Sequence, residues 1–197
     1  MANPSDLTNL TTALIIVDVQ YDFCPGGSLA TTKGDEVAEG INNFLESNRG
    51  DYAAVVTTQD WHIDPGTHFS ESPDFVDSWP VHCVADSHGA QLHEALSQLT
   101  AQPADAAFRK GQYEAAYSGF EGTTETGVQL AGWLREKNIE AVDIVGIATD
   151  HCVRATALDA LQEGFSVRIL KDLCSPVSAE REIKTLAELE AAGARVE

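Results

Sequence analysis

From Ala13 to Val19 the chain reads ALIIVDV, a run in which Asp18 alone is polar. A segment so short, so continuously apolar and so rich in β-branched side chains suits a strand buried on both faces. Strands of that kind belong to parallel sheets covered by helices. Tyr52–Thr58 (YAAVVTT) and Ala141–Ile147 (AVDIVGI) repeat the pattern, and Ala106–Arg109, Val167–Lys171 and Ala194–Val196 read as shorter strands. Helix-length segments fill the intervals, at about Asp35–Glu46, Leu92–Leu99, Gly127–Lys137, His151–Gln162 and Ala179–Ala191. Strand and helix in alternation, joined by right-handed crossovers, predict a three-layer α/β/α fold with a mainly parallel sheet. No internal repeat, low-complexity tract or linker divides residues 1–197, so one domain is expected, with a polar extension over residues 1–12. Trp61 to Gly89 lacks periodicity, and loops of that length in a compact domain tend to carry function.

Charge narrows the partners. Asp and Glu number 31 against 12 Lys and Arg, a formal net charge of -19, which repels phosphate backbones and anionic membrane surfaces. Neither nucleic acid nor a membrane is expected as a partner. The acid excess reads as ordinary solubility, with salt adaptation as the alternative. The first dozen residues carry no basic cluster and no long apolar run, so they resemble neither a secretion signal nor a membrane anchor, and a cytoplasmic location is expected. Cys24, Cys83, Cys152 and Cys174 are widely spaced without a CxxC pair, as in a protein with reduced thiols. The sequence is compatible with a homo-oligomer.

In open parallel sheets the ligand sits beyond the carboxyl ends of the strands. Asp18 closes the first predicted strand, Asp60 and His62 follow the second, Lys110 follows the third, and Cys152 follows the fourth at the start of a helix. A helix N-terminus lowers a thiol's pKa and offers free backbone N–H groups that suit an oxyanion, and Asp150 is placed to cap that helix. On position alone Cys152 reads equally as a nucleophile or as a small buried core residue. Asp18 and Lys110 at adjoining strand ends tip the reading toward a nucleophile. Asp18 would exchange the thiol proton, and Lys110 would hold Asp18 and favour the thiolate. His151 adjoins Cys152 but cannot face it on a helix, so local hydrogen bonding is its expected role.

A second cluster is Asp60, His62, His68 and His82. Imidazoles with one carboxylate suit one divalent metal ion, zinc, iron or manganese. Each histidine alone would be an ordinary surface or hydrogen-bonded residue; their concentration in one segment supports a metal site. His88 and His93 are assigned to a helical stretch as structural residues.

Several blocks carry a family resemblance: Ile15–Ala30, QDWHIDPGTHFS (Gln59–Ser70), SWPVHCV (Ser78–Val84), FRKGQY (Phe108–Tyr113), AYSGFEG (Ala116–Gly122) and GIATDHCV (Gly146–Val153). Together they resemble the nicotinamidase (pyrazinamidase) family within the isochorismatase-like cysteine hydrolases, over roughly Ala13 to the C-terminus. The resemblance implies a triad of Asp18, Lys110 and Cys152 and metal ligands Asp60, His62, His68 and His82. The role of His68 rests on the local PGTHFS match. It also implies Phe23, Trp79 and Tyr117 around the substrate ring, an oxyanion hole from the N–H groups of Ala148 and Cys152, and a cis peptide between Ile147 and Ala148. For the three aromatic residues, plain core packing is the competing reading.

The activity so implied is hydrolysis of nicotinamide to nicotinate and ammonia through a Cys152 thioester, as in NAD salvage, with pyrazinamide as a second substrate. A metal there would bind the pyridine nitrogen or lower the pKa of the hydrolytic water. One alternative is another cysteine amidohydrolase acting on a carbamoyl or ureido compound, or an isochorismatase-type enzyme; relatives of that kind generally lack the metal segment. A nucleotide-binding module fits the architecture, but no GxGxxG or P-loop follows the first strand. A metal-binding protein without catalysis would leave Asp18, Lys110 and Cys152 unexplained.

Overall fold

The computed structural model describes residues 10–197; most of the polar extension predicted over residues 1–12 lies outside that range. The strands are β1 (Thr12–Val17), β2 (Ala54–Asp60), β3 (Ala106–Lys110), β4 (Ala141–Ile147), β5 (Ser166–Ser175) and β6 (Arg195–Val196). The α-helices are α1 (Gly34–Asn48), α2 (Ser97–Ala101), α3 (Leu130–Glu136), α4 (Arg154–Gln162) and α5 (Ala179–Ala192). All neighbouring strands pair in parallel, in the order β3-β2-β1-β4-β5-β6.

The period of two in β1 sorts its side chains between two cores. Ala13, Ile15 and Val17 pack with Leu130 and Leu134 of α3, Ala157 of α4 and Leu189 of α5. Leu14 and Ile16 pack on the other side with Val37, Ile41 and Leu45 of α1 and with Leu96 just ahead of α2. Helices therefore cover both faces, and the predicted three layers are present. Each fully buried Leu, Ile or Val here contributes roughly 1.5–3 kcal/mol relative to exposure.

Strand order reverses direction between β1 and β4, the topological switch point of the sheet, and the two strands' carboxyl ends open a crevice there. Gly146 permits their close approach. Its φ is +117°, and a Cβ there would lie 2.1 Å from the Val17 carbonyl oxygen and 2.8 Å from the Val17 nitrogen. Because backbone atoms cannot swing away, Gly146→Ala is expected to destabilise the fold by more than about 2 kcal/mol. An unchanged urea midpoint would refute that expectation.

Several predicted boundaries shift. β2 starts and ends two residues later than predicted, so Asp60 is its last residue rather than the one after; Lys110 likewise ends β3. Asp18 stands one residue past β1, with a positive φ of 48°. β5 extends to Ser175, with an irregular register against β4 between Ile144 and Gly146. The helix expected over Leu92–Leu99 is confined to Ser97–Ala101, since Leu92 bridges to Gln20 and the His93 N–H donates to Val19 O. His88 and His93 therefore lie outside any helix.

Candidate active site

Beyond the switch point, residues from three other segments converge on Lys110. Its Nζ lies 2.9 Å from Asp18 Oδ2 and 3.7 Å from Cys152 Sγ, and it also contacts Asp60 Oδ1. Lys110 is only 1% exposed and Asp18 fully buried, and the cation is paired with carboxylates. Thr58 Oγ1 donates to Asp18 Oδ1 at 2.6 Å, and the Asp18 N–H donates to Thr58 O, which fixes the carboxylate despite its left-handed backbone.

Cys152 sits in one turn of π-helix, Thr149–Val153, ahead of α4; the Val153 N–H reaches back to Ala148 O. Such single turns recur at functional sites. The Ile147–Ala148 peptide is cis, as the resemblance implies. Asp150 is not the expected cap of this helix. Its carboxylate instead accepts from the Val177 and Ser178 N–H groups and from Arg181, fastening the start of α5 beside the crevice.

Electrostatics revise the expected thiolate. Burial pushes the Cys152 thiol well above the ordinary cysteine range; Lys110 pulls it down, but the nearby Asp18 and Asp60 reinforce burial. Burial likewise raises Asp18 against the pull of Lys110. Lys110 itself, which burial alone would neutralise, is held well above the usual lysine range by Asp18 and Asp60. The resting site thus holds a neutral thiol beside an ammonium and a carboxylate suited to take its proton.

A second group adjoins the first. His62, His68 and His82 each offer a ring nitrogen, and these atoms lie within 4.8 Å of one another. Asp60 Oδ2 stands 3.7 Å from His62 Nε2 and 3.8 Å from His82 Nε2. Outer contacts aim the rings: His62 Nδ1 is 2.6 Å from Gly111 O, and His82 Nδ1 is 2.7 Å from Pro80 O, an arrangement typical of metal-ligating imidazoles. His62 Nε2 and His68 Nδ1 are buried without a hydrogen-bond partner. Burial, with His62 and His82 adding to it, lowers His68 to about 4, so its ring is neutral near pH 7. Orphaned ring nitrogens facing a carboxylate are the donor set a divalent metal requires, and the residues fit one. Asp60 joins the two groups, with one oxygen on Lys110 and the other toward the imidazoles.

A pocket opens over both groups. Phe23, Leu29, Trp79, Ala116, Tyr117 and Val177 form an apolar and aromatic part of its wall, with Cys152, Ala148, His68 and His82 also lining it. Its free space totals about 430 Å³, part of it open to solvent. Trp79 Nε1 donates to Tyr117 Oη at 3.0 Å, and the Trp79 ring meets His151 edge-on, so Trp79 and Tyr117 form a fixed aromatic corner. A planar ring of one or two substituents suits such walls.

Every site residue expected from the sequence lies in this crevice or its wall. Sequence reasoning missed Gln20, fully buried, which receives the Asp60 N–H at 2.9 Å and donates to Asp60 O and Ala90 O, both at 2.8 Å. It also missed Thr58 and the wall residues Leu29, Thr31 and Val177. A buried-strand pattern makes Thr58 look like any β-branched residue, and the Val177 contact depends on how α5 docks.

Comparison with known proteins agrees with this geometry. An isochorismatase domain model matches residues 12–197. The nicotinamidase/pyrazinamidase of Mycobacterium tuberculosis is 51% identical over 180 residues, covering 91% of this chain and 95% of that protein. The crystal structure of the Pyrococcus horikoshii pyrazinamidase in complex with zinc is 36% identical, with a TM-score of 0.78, covering 95% of this chain and 98% of its own. The crystal structure of the L. infantum protein in complex with nicotinate is 38% identical with a TM-score of 0.81, covering 95% of this chain and 92% of its own. A match of that extent, on a chain whose sheet order and crevice accord with it, shows that the chain belongs to the isochorismatase family.

Proposed function

We propose that this chain is a nicotinamidase, which hydrolyses nicotinamide to nicotinate and ammonia and so returns the pyridine ring to NAD synthesis. The observation that carries the reading is the position of Lys110 Nζ, in contact with Asp18, Asp60 and Cys152 at the floor of an aromatic pocket that also exposes His68 and His82. The named relatives act on, or bind, pyridine and pyrazine carboxylic derivatives, and the pocket wall suits such rings.

In the proposed sequence, Asp18 takes the Cys152 proton as Sγ attacks the carboxamide carbon. The N–H groups of Ala148 and Cys152 receive the developing oxyanion. Asp18 then returns the proton to the departing nitrogen, the C–N bond breaks, ammonia leaves and a thioester remains. Water attacks the thioester carbon with Asp18 as base, nicotinate departs and the thiol is restored. Lys110 keeps Asp18 in place and stabilises the sulfur as it gains charge. Phe23, Trp79 and Tyr117 orient the ring. Asp60, His62, His68 and His82 would hold one divalent ion, zinc, iron or manganese, which when bound supplies Lewis acidity at the pocket.

Ammonia release from nicotinamide by the purified protein, before and after chelation, tests this. The reading requires turnover that falls on chelation and returns with added metal. Turnover of a ureido or carbamoyl compound in place of nicotinamide would transfer the site to another amidohydrolase activity of the family.

A further inference from the structure

A third set of potential ligands lies outside the active-site crevice. Cys24, Asp35 and His93 each present one donor atom, all within 4.8 Å of one another. They come from three segments: the turn that follows β1, the first turn of α1, and the stretch that precedes α2. Packing brings them together. Gly34, the first residue of α1, lies so close to Cys24 that a Cβ on it would stand 2.7 Å from the Cys24 Cα and 2.9 Å from Sγ, which sets the neighbouring Asp35 against the thiol. The His93 backbone N–H is tied to Val19 O at 2.8 Å, which fixes the third segment.

The contact between His93 Nε2 and Asp35 Oδ1 is 3.4 Å. That is longer than an ordinary N–H···O hydrogen bond. It equals the edge, about 3.3–3.5 Å, of a tetrahedron whose centre is about 2.0–2.2 Å from a histidine nitrogen and a carboxylate oxygen. Asp35 Oδ1 is itself buried and makes no hydrogen bond, although the Asp35 side chain as a whole is 49% exposed, so its near neighbour is the His93 ring. The Ala95 N–H donates to His93 Nδ1 at 3.3 Å, a long hydrogen bond that metal binding through Nε2 has to displace, because the neutral ring then carries its proton on Nδ1.

We propose that Cys24, Asp35 and His93 form a second metal site, which takes a borderline-soft divalent cation of the zinc type with water as the fourth ligand. Thiolate, imidazole and carboxylate together select such an ion over magnesium or calcium. Binding converts the Cys24 thiol to a metal thiolate and releases its proton to solvent, so charge and atoms balance. The bound ion cross-links the turn carrying Phe23 to α1 and to the segment before α2, and it stiffens one wall of the pocket. The site does not depend on the proposed amidase activity.

The test uses the full chain as Cys152→Ala, which removes the pocket thiol, stripped of metal and titrated with cobalt(II). Two ions per chain are expected, accompanied by thiolate-to-cobalt charge-transfer absorption in the near ultraviolet, which the imidazole and carboxylate set of the first site cannot produce. Adding Cys24→Ser should abolish that absorption and leave one ion. Adding His93→Ala, at a partly exposed ring, should weaken the second ion at least about tenfold while circular dichroism stays unchanged. A single ion without the absorption, absorption that survives Cys24→Ser, or second-ion affinity unaffected by His93→Ala would each overturn the proposal. No part of the readout uses turnover, so a failure here and a failure of the amidase reading are separate results.

Discussion

Cys152→Ala is expected to reduce nicotinamide turnover by at least about 10⁴-fold, the scale on which removal of a covalent nucleophile acts in other hydrolases, while the His62, His68 and His82 group still binds metal. The reason lies in the arrangement around sulfur. Cys152 Sγ is 3.7 Å from Lys110 Nζ and faces the pocket, whereas the imidazoles bind through their own ring nitrogens and do not need the thiol. Alanine removes the thiol that, among the described residues lining the pocket, is positioned to form an acyl bond, and it leaves Trp79, Tyr117 and Val177 unaltered. Single-turnover ammonia release and metal content by mass spectrometry check the two halves. Appreciable residual turnover would mean that water attacks the amide directly, and the thioester scheme would fall.

The strands and the chemistry at their ends are legible because two simple constraints coincide. A parallel strand buried on both faces must be apolar along its length, so Leu14, Ile15 and Ile16 announce β1, and a single carboxylate after such a run, Asp18, stands out as a cost that needs a use. Lys110 is legible for the same reason at the end of β3. What local pattern does not encode is anything decided by long-range docking. The residues from Leu92 to Leu96 have helical spacing, yet their backbone groups are claimed by Gln20 and Val19 across the fold, so the helix shrinks to Ser97–Ala101. Asp150 looks like a cap to its own helix and serves the start of α5 instead. Asp143, buried in the middle of β4, is matched by Arg168, whose Nε donates at 2.9 Å, and by the Tyr52 hydroxyl at 2.6 Å, partners that lie far away in sequence. The ionisation of Cys152 belongs to the same class. A helix start favours a thiolate, but burial beside two carboxylates reverses the sign, and only the packed structure shows which influence is larger.

Asp60→Asn is expected to cost both halves of the site at once, in a way that added metal cannot repair. One Asp60 oxygen contacts Lys110, and the other lies 3.7 and 3.8 Å from the inner nitrogens of His62 and His82. Burial would raise Asp60, but Lys110, His62 and His82 outweigh it and keep the group ionised well below the ordinary carboxylate range. The amide keeps the shape and removes the charge, so Lys110, only 1% exposed, loses one of its two carboxylate counterions. Metal affinity should fall at least about tenfold, and kcat for nicotinamide at saturating metal should remain at least about a hundredfold below that of the unmodified protein. His68→Asn provides the contrast. His68 is part of the imidazole set but lies outside the contacts of Lys110, so its loss should weaken metal binding while excess metal restores much of kcat. Ammonia release measured against added zinc, with bound metal counted at each point, distinguishes the two variants. If Asp60→Asn regains full turnover once metal is saturating, the charge shared between Lys110 and the imidazoles has no part in the chemistry, and Asp60 is a metal ligand alone.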